Sequence, residues 1–193
     1  MIRNTDAIVG QPISYEAFCR LPEQAGLELI DGFMVKEPSP TYGHQSLVGH
    51  LHHRLAEFNR KQRSGKVLVA PLDVTLNGEH VLQPDVMWVS AARIGILTAK
   101  GLTAAPDLAV EVLSPSTRAR DTGRKRELYF ANGCRELWLI DPETCELELC
   151  EYPAAAAPLW SAHAYAPPAV VGSPLLKGFQ LDLAELVEES RLP

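Results

Sequence analysis

Apolar residues at helical spacing predict the helices of this chain. The longest is expected from Tyr42 to Arg63, because Leu47, Leu51, Leu55 and Phe58 recur on one face of it. Shorter helices are expected at Ser14–Leu21, with Ser14 as the N-terminal cap, at Thr122–Asn132, which Gly133 ends, and at Leu181–Val187.

Strands are predicted where short apolar runs lie between turn residues. Asp107–Leu113 is almost wholly apolar, which is typical of a central strand covered on both faces. The Asp31-Gly32 pair between Leu27–Ile30 and Phe33–Val35 predicts a tight hairpin. The other predicted strands are Lys66–Leu76, with the turn residues Asn77-Gly78 after it, Val86–Val89, a buried Glu136–Ile140, an outer Leu147–Tyr152 and one near Leu159–Tyr165.

Two segments are predicted to be loops. Ala91–Lys100 reads as a loop or lid, and Pro153–Pro174, rich in proline and alanine, as a surface excursion that carries the strand near Leu159–Tyr165. Because helices and strands interleave while hairpins occur early and late, the predicted fold class is α/β, with a mixed sheet and helices on both faces. The length of 193 residues predicts a single domain over residues 1–193.

Composition narrows the class of protein. Apolar residues make up 46% of the chain, which is ordinary globular usage. With 18 Lys and Arg against 24 Asp and Glu, the net charge of −6 argues against coating nucleic acid with the whole surface, although a local basic groove stays open. We find no signal peptide, no membrane span and no Cys-x-x-Cys pair, and we expect a cytoplasmic protein without a membrane partner.

Two carboxylates lie at unusual places in the apolar pattern. Glu111 is inside Leu108–Leu113, where a buried carboxylate needs a cation or hydrogen-bond donors to offset its desolvation. The alternative is a strand-end glutamate at a sheet rim, paired with an arginine of the next helix. Asp85 follows Pro84 and opens the run Val86–Val89. It could cap a turn, but beside Glu111 on a neighbouring strand it would complete a hard-oxygen site suited to Mg²⁺.

A basic run follows Glu111 directly. Five basic residues lie within nine positions, which suits binding to a phosphodiester backbone, although a solvated helix face is the usual reading of such a run. Asp121, Lys125 and Tyr129 are spaced to share one helix face, so Lys125 would point towards the carboxylates. Asp121 alternatively caps the helix. The four candidate phosphate-binding residues are Arg118, Arg120, Arg124 and Arg126.

The ordered motifs of the chain resemble one known family. They are Gln83-Pro84-Asp85-Val86, the run Pro106–Thr117 around Glu111, Asp121-x-x-x-Lys125-x-x-x-Tyr129 and the run Gly133–Pro142. Together with Glu28-Leu-Ile-Asp31-Gly32 and His44, this set is similar to the Uma2 family of the PD-(D/E)xK, restriction-endonuclease-like superfamily, over about residues 14–187. The resemblance implies a mixed central sheet flanked by helices and an endonuclease activity.

The resemblance also implies a mechanism and a departure from the superfamily pattern. Asp85, Glu111 and the backbone carbonyl of Val112 would hold Mg²⁺ or Mn²⁺, which activates a water molecule. The usual Glu-x-Lys would place lysine at position 113, where this chain has Leu113. The family pattern supplies Lys125 from the following helix instead, to orient the water or stabilise the charged phosphorane.

Three further residues stay open as site candidates. Glu28 is either an auxiliary acid or a polar residue on a half-exposed hairpin. His44 falls on the apolar face of its helix and is either catalytic or a core histidine, whereas His50, His52 and His53 point in spread directions and do not predict a zinc site. Asp73 precedes the site and is a weaker candidate.

The function predicted from the sequence is therefore a divalent-metal-dependent endonuclease that cleaves DNA. A homodimer is expected, because two strands need two sites. The alternative is a catalytically inactive nucleic-acid-binding or oligomerising protein on the same fold, for which the apolar tract near residues 153–160 would serve as the dimer contact.

Overall fold

The computed structural model describes residues 10–22, 26–152 and 160–190. Five α-helices occur in these ranges: α1 Tyr15–Phe18, α2 Tyr42–Gln62, α3 Arg118–Arg120, α4 Arg126–Ala131 and α5 Leu183–Ser190. A 3₁₀-helix covers Ala91–Ile96, and a π-helical turn, Asp121–Lys125, joins α3 to α4.

The strands of the described residues form two six-stranded sheets and a two-stranded ribbon. The core sheet has the order β12-β11-β10-β9-β6-β3, the hairpin sheet has the order β2-β1-β5-β4-β8-β7, and the ribbon joins β13 and β14. Their bounds are β1 Leu27–Ile30, β2 Phe33–Lys36, β3 Gly65–Val69, β4 Asp73–Leu76, β5 His80–Leu82, β6 Val86–Ser90, β7 Leu97–Thr98, β8 Gly101–Leu102, β9 Leu108–Val112, β10 Glu136–Ile140, β11 Leu147–Glu151, β12 Ser161–Tyr165, β13 Val170–Gly172 and β14 Gln180–Asp182.

The long helix α2 matches its prediction. Thr41 caps its N-terminus by accepting a hydrogen bond from the His44 amide, and the helix ends where Arg63 adopts a left-handed conformation with φ 52°. Its apolar stripe packs on the core sheet together with α5, and Leu47, Leu51 and Leu55 are fully buried there. This packing fixes the N-terminal turn of α2, which carries His44, against one end of the core sheet.

Strand β9 is the centre of the core sheet, as its apolar run predicts. It pairs in parallel with β10 and antiparallel with β6, and all five of its residues are buried. Leu108, Val110 and Val112 face the α2 and α5 side, whereas Ala109 faces the hairpin sheet and α4. Because side chains alternate along a strand, Glu111 also faces the hairpin sheet.

Turn chemistry positions the hairpin sheet. Asp31 and Gly32 have φ 52° and 77°, the paired positive values that a two-residue hairpin turn requires, and Asn77 and Gly78 likewise have φ 53° and 69°. The short helix α1 packs on this sheet through Phe18, with the Ser14 hydroxyl as its cap. The predicted hairpin is confirmed, and the predicted helix Ser14–Leu21 is present but shorter, as α1 covers only Tyr15–Phe18.

The structure differs from the sequence predictions at several places in the described residues, and one of them is the predicted helix Leu181–Val187, which begins only at Leu183 because residues 181 and 182 belong to β14. The predicted single strand Lys66–Leu76 is two strands in different sheets, because Pro71 has no N–H with which to continue the ladder. The predicted outer strand Leu147–Tyr152 is covered by β12, which is the true edge. The predicted loop Ala91–Lys100 contains the 3₁₀-helix and β7.

Two further predictions concern the surface excursion and the absence of a membrane span. Residues 153–159 of the predicted surface excursion lie outside the described residues, and with them most of the apolar tract expected to mediate a dimer contact. No helix of the described ranges is both long and apolar enough to cross a membrane.

Candidate active site

The register of two strands places Asp85 beside Glu111. Val86 lies opposite Val110 in the antiparallel ladder of β6 and β9, so one further step of the same ladder sets Asp85 opposite Glu111. Asp85 Oδ2 accepts a hydrogen bond of 2.7 Å from the Val112 amide, which ties it to the end of β9. The pairing of the two carboxylates that the sequence suggested is thus a consequence of strand register.

Glu111 is buried against the helix that follows β9. Lys125 Nζ lies 2.8 Å from Glu111 Oε1, and the Tyr129 hydroxyl donates a 2.6 Å hydrogen bond to the same oxygen. Both partners are fully buried. The alternative of a rim glutamate paired with an arginine is therefore wrong, since its partners are a lysine and a tyrosine.

The π-helical turn brings Asp121 and Lys125 to the same place. Asp121 is buried, and its Oδ1 lies 3.6 Å from Lys125 Nζ. The helical segment begins at Arg118, three residues before Asp121, so the N-cap reading of Asp121 is wrong. The helix predicted at Thr122–Asn132 therefore begins four residues earlier, at Arg118. The π turn Asp121–Lys125 follows α3, and π turns are frequent at functional sites.

Glu28 reaches the same cluster from the hairpin sheet. It is fully buried on β1, its Oε1 lies 3.0 Å from Lys125 Nζ, and that oxygen also accepts a 2.8 Å hydrogen bond from the Gln83 amide. The reading of Glu28 as a half-exposed hairpin residue is therefore wrong. Asp73 approaches only indirectly, since its Oδ1 accepts a 2.7 Å hydrogen bond from the Gln83 side chain.

Asp85, Glu111, Asp121 and Lys125 open onto one cavity of about 540 Å³ between the two sheets and the N-terminus of α2, whereas Glu28 lies behind them and is not among its lining residues. Its lining includes Asp85, Glu111, Val112, Lys125 and His44. His44 Nε2 lies 3.5 Å from Asp85 Oδ2, so this histidine faces the carboxylates and is more than an apolar core residue.

The four predicted phosphate-binding arginines do not gather at this cavity. Each is paired with a carboxylate of a different element, and none of the four belongs to the cavity lining. The pairs are Arg118 with Asp141, Arg120 with Glu37, Arg124 with Asp31 and Arg126 with Glu148. Arg118 is half-exposed, and its partner Asp141 directly precedes the cavity residue Pro142, whereas Asp31 and Glu148, the partners of Arg124 and Arg126, are not next to a lining residue.

Carboxylates outnumber cations in the cluster. Burial and the neighbouring carboxylates raise the pKa of Glu111 well above its usual value, against the opposing effect of Lys125. Burial lowers the pKa of Lys125, but the surrounding acids outweigh it and hold the ammonium charged. Burial opposes ionisation of Glu28, yet Lys125 lowers its pKa overall. Burial and the Glu28 charge raise the pKa of Glu37 to about 7.

The histidine at the rim is also shifted. Burial disfavours the imidazolium of His44, but the hydrogen bond and charge of Asp85 and the backbone of Val112 outweigh burial and raise the pKa of His44. The charge of Asp85 therefore favours the protonated form of His44, whose Nε2 lies 3.5 Å from Asp85 Oδ2.

The donor set fits a divalent cation. Asp85 Oδ1 and Glu111 Oε2 have no hydrogen-bond partner among the described residues. The Leu113 N–H donates to the Ile140 carbonyl on β10. In a trans peptide the carbonyl points away from the N–H, so the Val112 carbonyl points away from β10 and towards the side where Asp85 lies.

These ligands match the preference of one metal class. No group of three or more His, Cys, Asp or Glu side chains within the described ranges forms a preformed metal cage. Mg²⁺ is usually held by one or two carboxylates and keeps several waters, so two carboxylates and a carbonyl suit it.

Sequence reasoning missed two members of the site. Glu37 ends the β2 hairpin arm and lines the cavity, and nothing in its local pattern, Lys36-Glu37-Pro38, distinguishes it from a solvated residue. Gln83 links Glu28 to Asp73. Its position directly before Pro84-Asp85 was the available signal.

Comparisons with known proteins identify the family and the fold of the chain. The model of the Uma2 family, described as "Putative restriction endonuclease", matches residues 14–184. A solved structure, described as a putative nuclease belonging to DUF820 from Anabaena variabilis ATCC 29413, superposes with a TM-score of 0.78 at 22% sequence identity. It covers 93% of this chain and 100% of its own, which shows a shared fold. No curated protein matches the chain.

Proposed function

The chain belongs to the Uma2 family, and we propose that it is a nuclease that hydrolyses phosphodiester bonds of DNA with the help of a bound divalent cation. The observation that carries the proposal is the meeting of Asp85, Glu111 and Lys125 at one cavity. The whole chain, residues 1–193, would act as one PD-(D/E)xK nuclease-like domain.

Asp85 and Glu111 would hold the cation through the two oxygens that make no hydrogen bond, together with the Val112 carbonyl. When bound, Mg²⁺ or Mn²⁺ supplies a Lewis acid that lowers the pKa of water and offsets phosphate charge. The Val112 amide orients Asp85 through its hydrogen bond, and His44 would add a positive charge 3.5 Å from the same carboxylate. The excess of carboxylates explains why an anionic substrate would need the cation before it could enter.

Lys125 would act beside the scissile phosphate. Its ammonium is fixed by Glu111 and Glu28 at 2.8 and 3.0 Å, so it can orient a water or stabilise developing negative charge without reorganising. Glu28 acts through Lys125 and not as a ligand, since its Oε1 already accepts from Lys125 and the Gln83 backbone amide and Glu28 is not among the residues that line the cavity.

DNA would approach along the surface that carries Arg118. This arginine is 49% exposed and can exchange Asp141 for a phosphate, whereas Arg120 is mostly buried among acids of the site. Two strands of a duplex need two such sites, so we expect a homodimer on DNA, which light scattering of the complex would detect.

Cleavage of supercoiled and single-stranded DNA tests the proposal. With Mg²⁺ or Mn²⁺ the wild type is expected to cut, Glu111→Ala and Lys125→Ala are expected not to, and Glu127→Ala, an exposed matched control, is expected to cut normally. If Glu111→Ala lost cleavage while Lys125→Ala kept it, the proposed role of Lys125 would be wrong. A wild type that binds DNA without cutting it would contradict the proposal and establish the inactive, nucleic-acid-binding alternative.

A further inference from the structure

Three buried polar atoms lie beside Lys125, with Arg120 Nε within 4 Å of each of the other two. Arg120 Nε lies 3.9 Å from Glu28 Oε2 and 3.8 Å from Asp121 Oδ1. With the carboxyl groups ionised, none of these three atoms has a hydrogen-bond partner among the described residues. Glu28 and Asp121 are only 0% and 3% exposed, so bulk water does not reach them.

These distances are too long for direct hydrogen bonds, which require about 3.2 Å or less. An unsatisfied buried polar group costs about 1–3 kcal/mol, and charged groups cost more, so these three atoms need a partner, and Arg120 Nε is near enough to both oxygens for one molecule to serve all three. That partner must accept one hydrogen bond from an N–H and donate one to each of two carboxylate oxygens. Water has this combination of two donors and free lone pairs, and buried waters commonly make about three hydrogen bonds.

We propose that one water molecule binds at the point between Arg120 Nε, Glu28 Oε2 and Asp121 Oδ1, as an integral part of the site. It accepts from the Arg120 N–H and donates to both carboxylates. If Glu37 is protonated, its O–H can donate one hydrogen bond to Glu28. Glu28 Oε2 has two lone pairs, so it can still accept a hydrogen bond from the water.

The same atoms argue against a second metal ion as the occupant. The guanidinium of Arg120 carries only donors and does not lose its proton, so its Nε–H would face a cation with a positive charge. Lys125 Nζ, 3.6 Å from Asp121 Oδ1, would add a second repulsive charge. Two carboxylates alone would suit a cation, but two carboxylates with an N–H donor suit water.

The bound water explains the position of Arg120. It connects the guanidinium to the two carboxylates that flank Lys125, while the other end of the same guanidinium binds Glu37. Arg120 thus belongs to the interior charge balance of the site, in contrast to the phosphate-contacting role that the sequence suggested.

Crystal structures of the wild-type protein at about 1.5 Å, grown without metal and soaked in Mn²⁺, test the inference. The expected result is a density peak about 2.6–3.2 Å from all three atoms in both crystals, without an anomalous signal. Crystals of Arg124→Met, whose replaced arginine pairs with Asp31 outside the cluster, should keep the peak.

Two results would overturn the inference. An anomalous peak about 2.2 Å from the carboxylates would identify a cation, and closure of the side chains to direct hydrogen bonds without a peak would identify a dry ion pair. Neither outcome depends on nuclease activity. A protein that binds the water but does not cleave DNA would contradict only the proposed function. A protein that cleaves DNA without the bound water would contradict only this inference.

Discussion

Replacement of Lys125 by methionine should destabilise the protein strongly. The change keeps the apolar stem and removes only the ammonium, which lies within 2.8–3.6 Å of Glu111, Glu28 and Asp121. Breaking a buried ion pair by removing one partner costs about 3–5 kcal/mol, because the remaining charge stays buried without compensation. At about 2–4 °C per kcal/mol for a chain of this size, the melting temperature should fall by about 6–20 °C.

Urea denaturation at neutral pH, followed by tryptophan fluorescence, measures the loss. The matched control is Lys61→Met: Lys61 pairs with Glu57 at 2.9 Å but is 65% exposed, so its replacement should cost less than about 0.5 kcal/mol. Adding Glu111→Gln to Lys125→Met removes one of the uncompensated charges, and the double variant should regain about 0.5–3 kcal/mol relative to additivity.

The reasoning would be refuted if Lys125→Met were as stable as Lys61→Met. Strict additivity in the double variant would also refute it, since the two side chains would then not interact.

Three further results are expected. The salt dependence of DNA binding, measured by fluorescence anisotropy, should lose about 0.9 from its log–log slope in Arg118→Gln and nothing in Arg124→Gln; equal slopes would contradict the proposed DNA surface. The stability of the wild type relative to Glu37→Gln should fall as pH rises from 4.5 to about 7, because the raised pKa of Glu37 keeps a proton on the folded protein that the unfolded chain has released; parallel stability curves would disprove this. Glu136→Gln should lose about 1–3 kcal/mol in urea denaturation, because Trp138 donates to one oxygen of its buried carboxylate and Ser173 and the Leu175 amide donate to the other, so the single oxygen of glutamine leaves at least one of these donors facing an N–H; an unchanged midpoint would show that the amide is tolerated.

Local patterns predicted the elements that local physics controls. The Asp31-Gly32 turn follows from its positive φ values, and β9 and β10 follow from apolar runs that only a doubly covered strand accommodates. The division at Pro71 could have been predicted, since a proline inside an apolar run argues against one continuous central strand. Strands as short as β7 and β8 were not predictable, because two-residue strands form only where a partner strand already lies.

The candidate site was predictable to the extent that it follows strand order. Asp85 and Glu111 are neighbours because β6 and β9 pair, and Lys125 follows at helical spacing on the next element. The arginine partners could not be foreseen: Asp31 and Arg124 are 93 residues apart, and only the folded chain shows that they neutralise each other.

The central claim is that Asp85 and Glu111 together hold a divalent cation, and calorimetric titration of the purified protein with Mn²⁺ tests it most directly. The account predicts one bound ion per chain in the wild type, loss of that binding in Asp85→Asn and in Glu111→Gln, and unchanged binding in the exposed control Glu127→Gln. Equal Mn²⁺ binding by the wild type and Glu111→Gln, or no binding by the wild type, would contradict it.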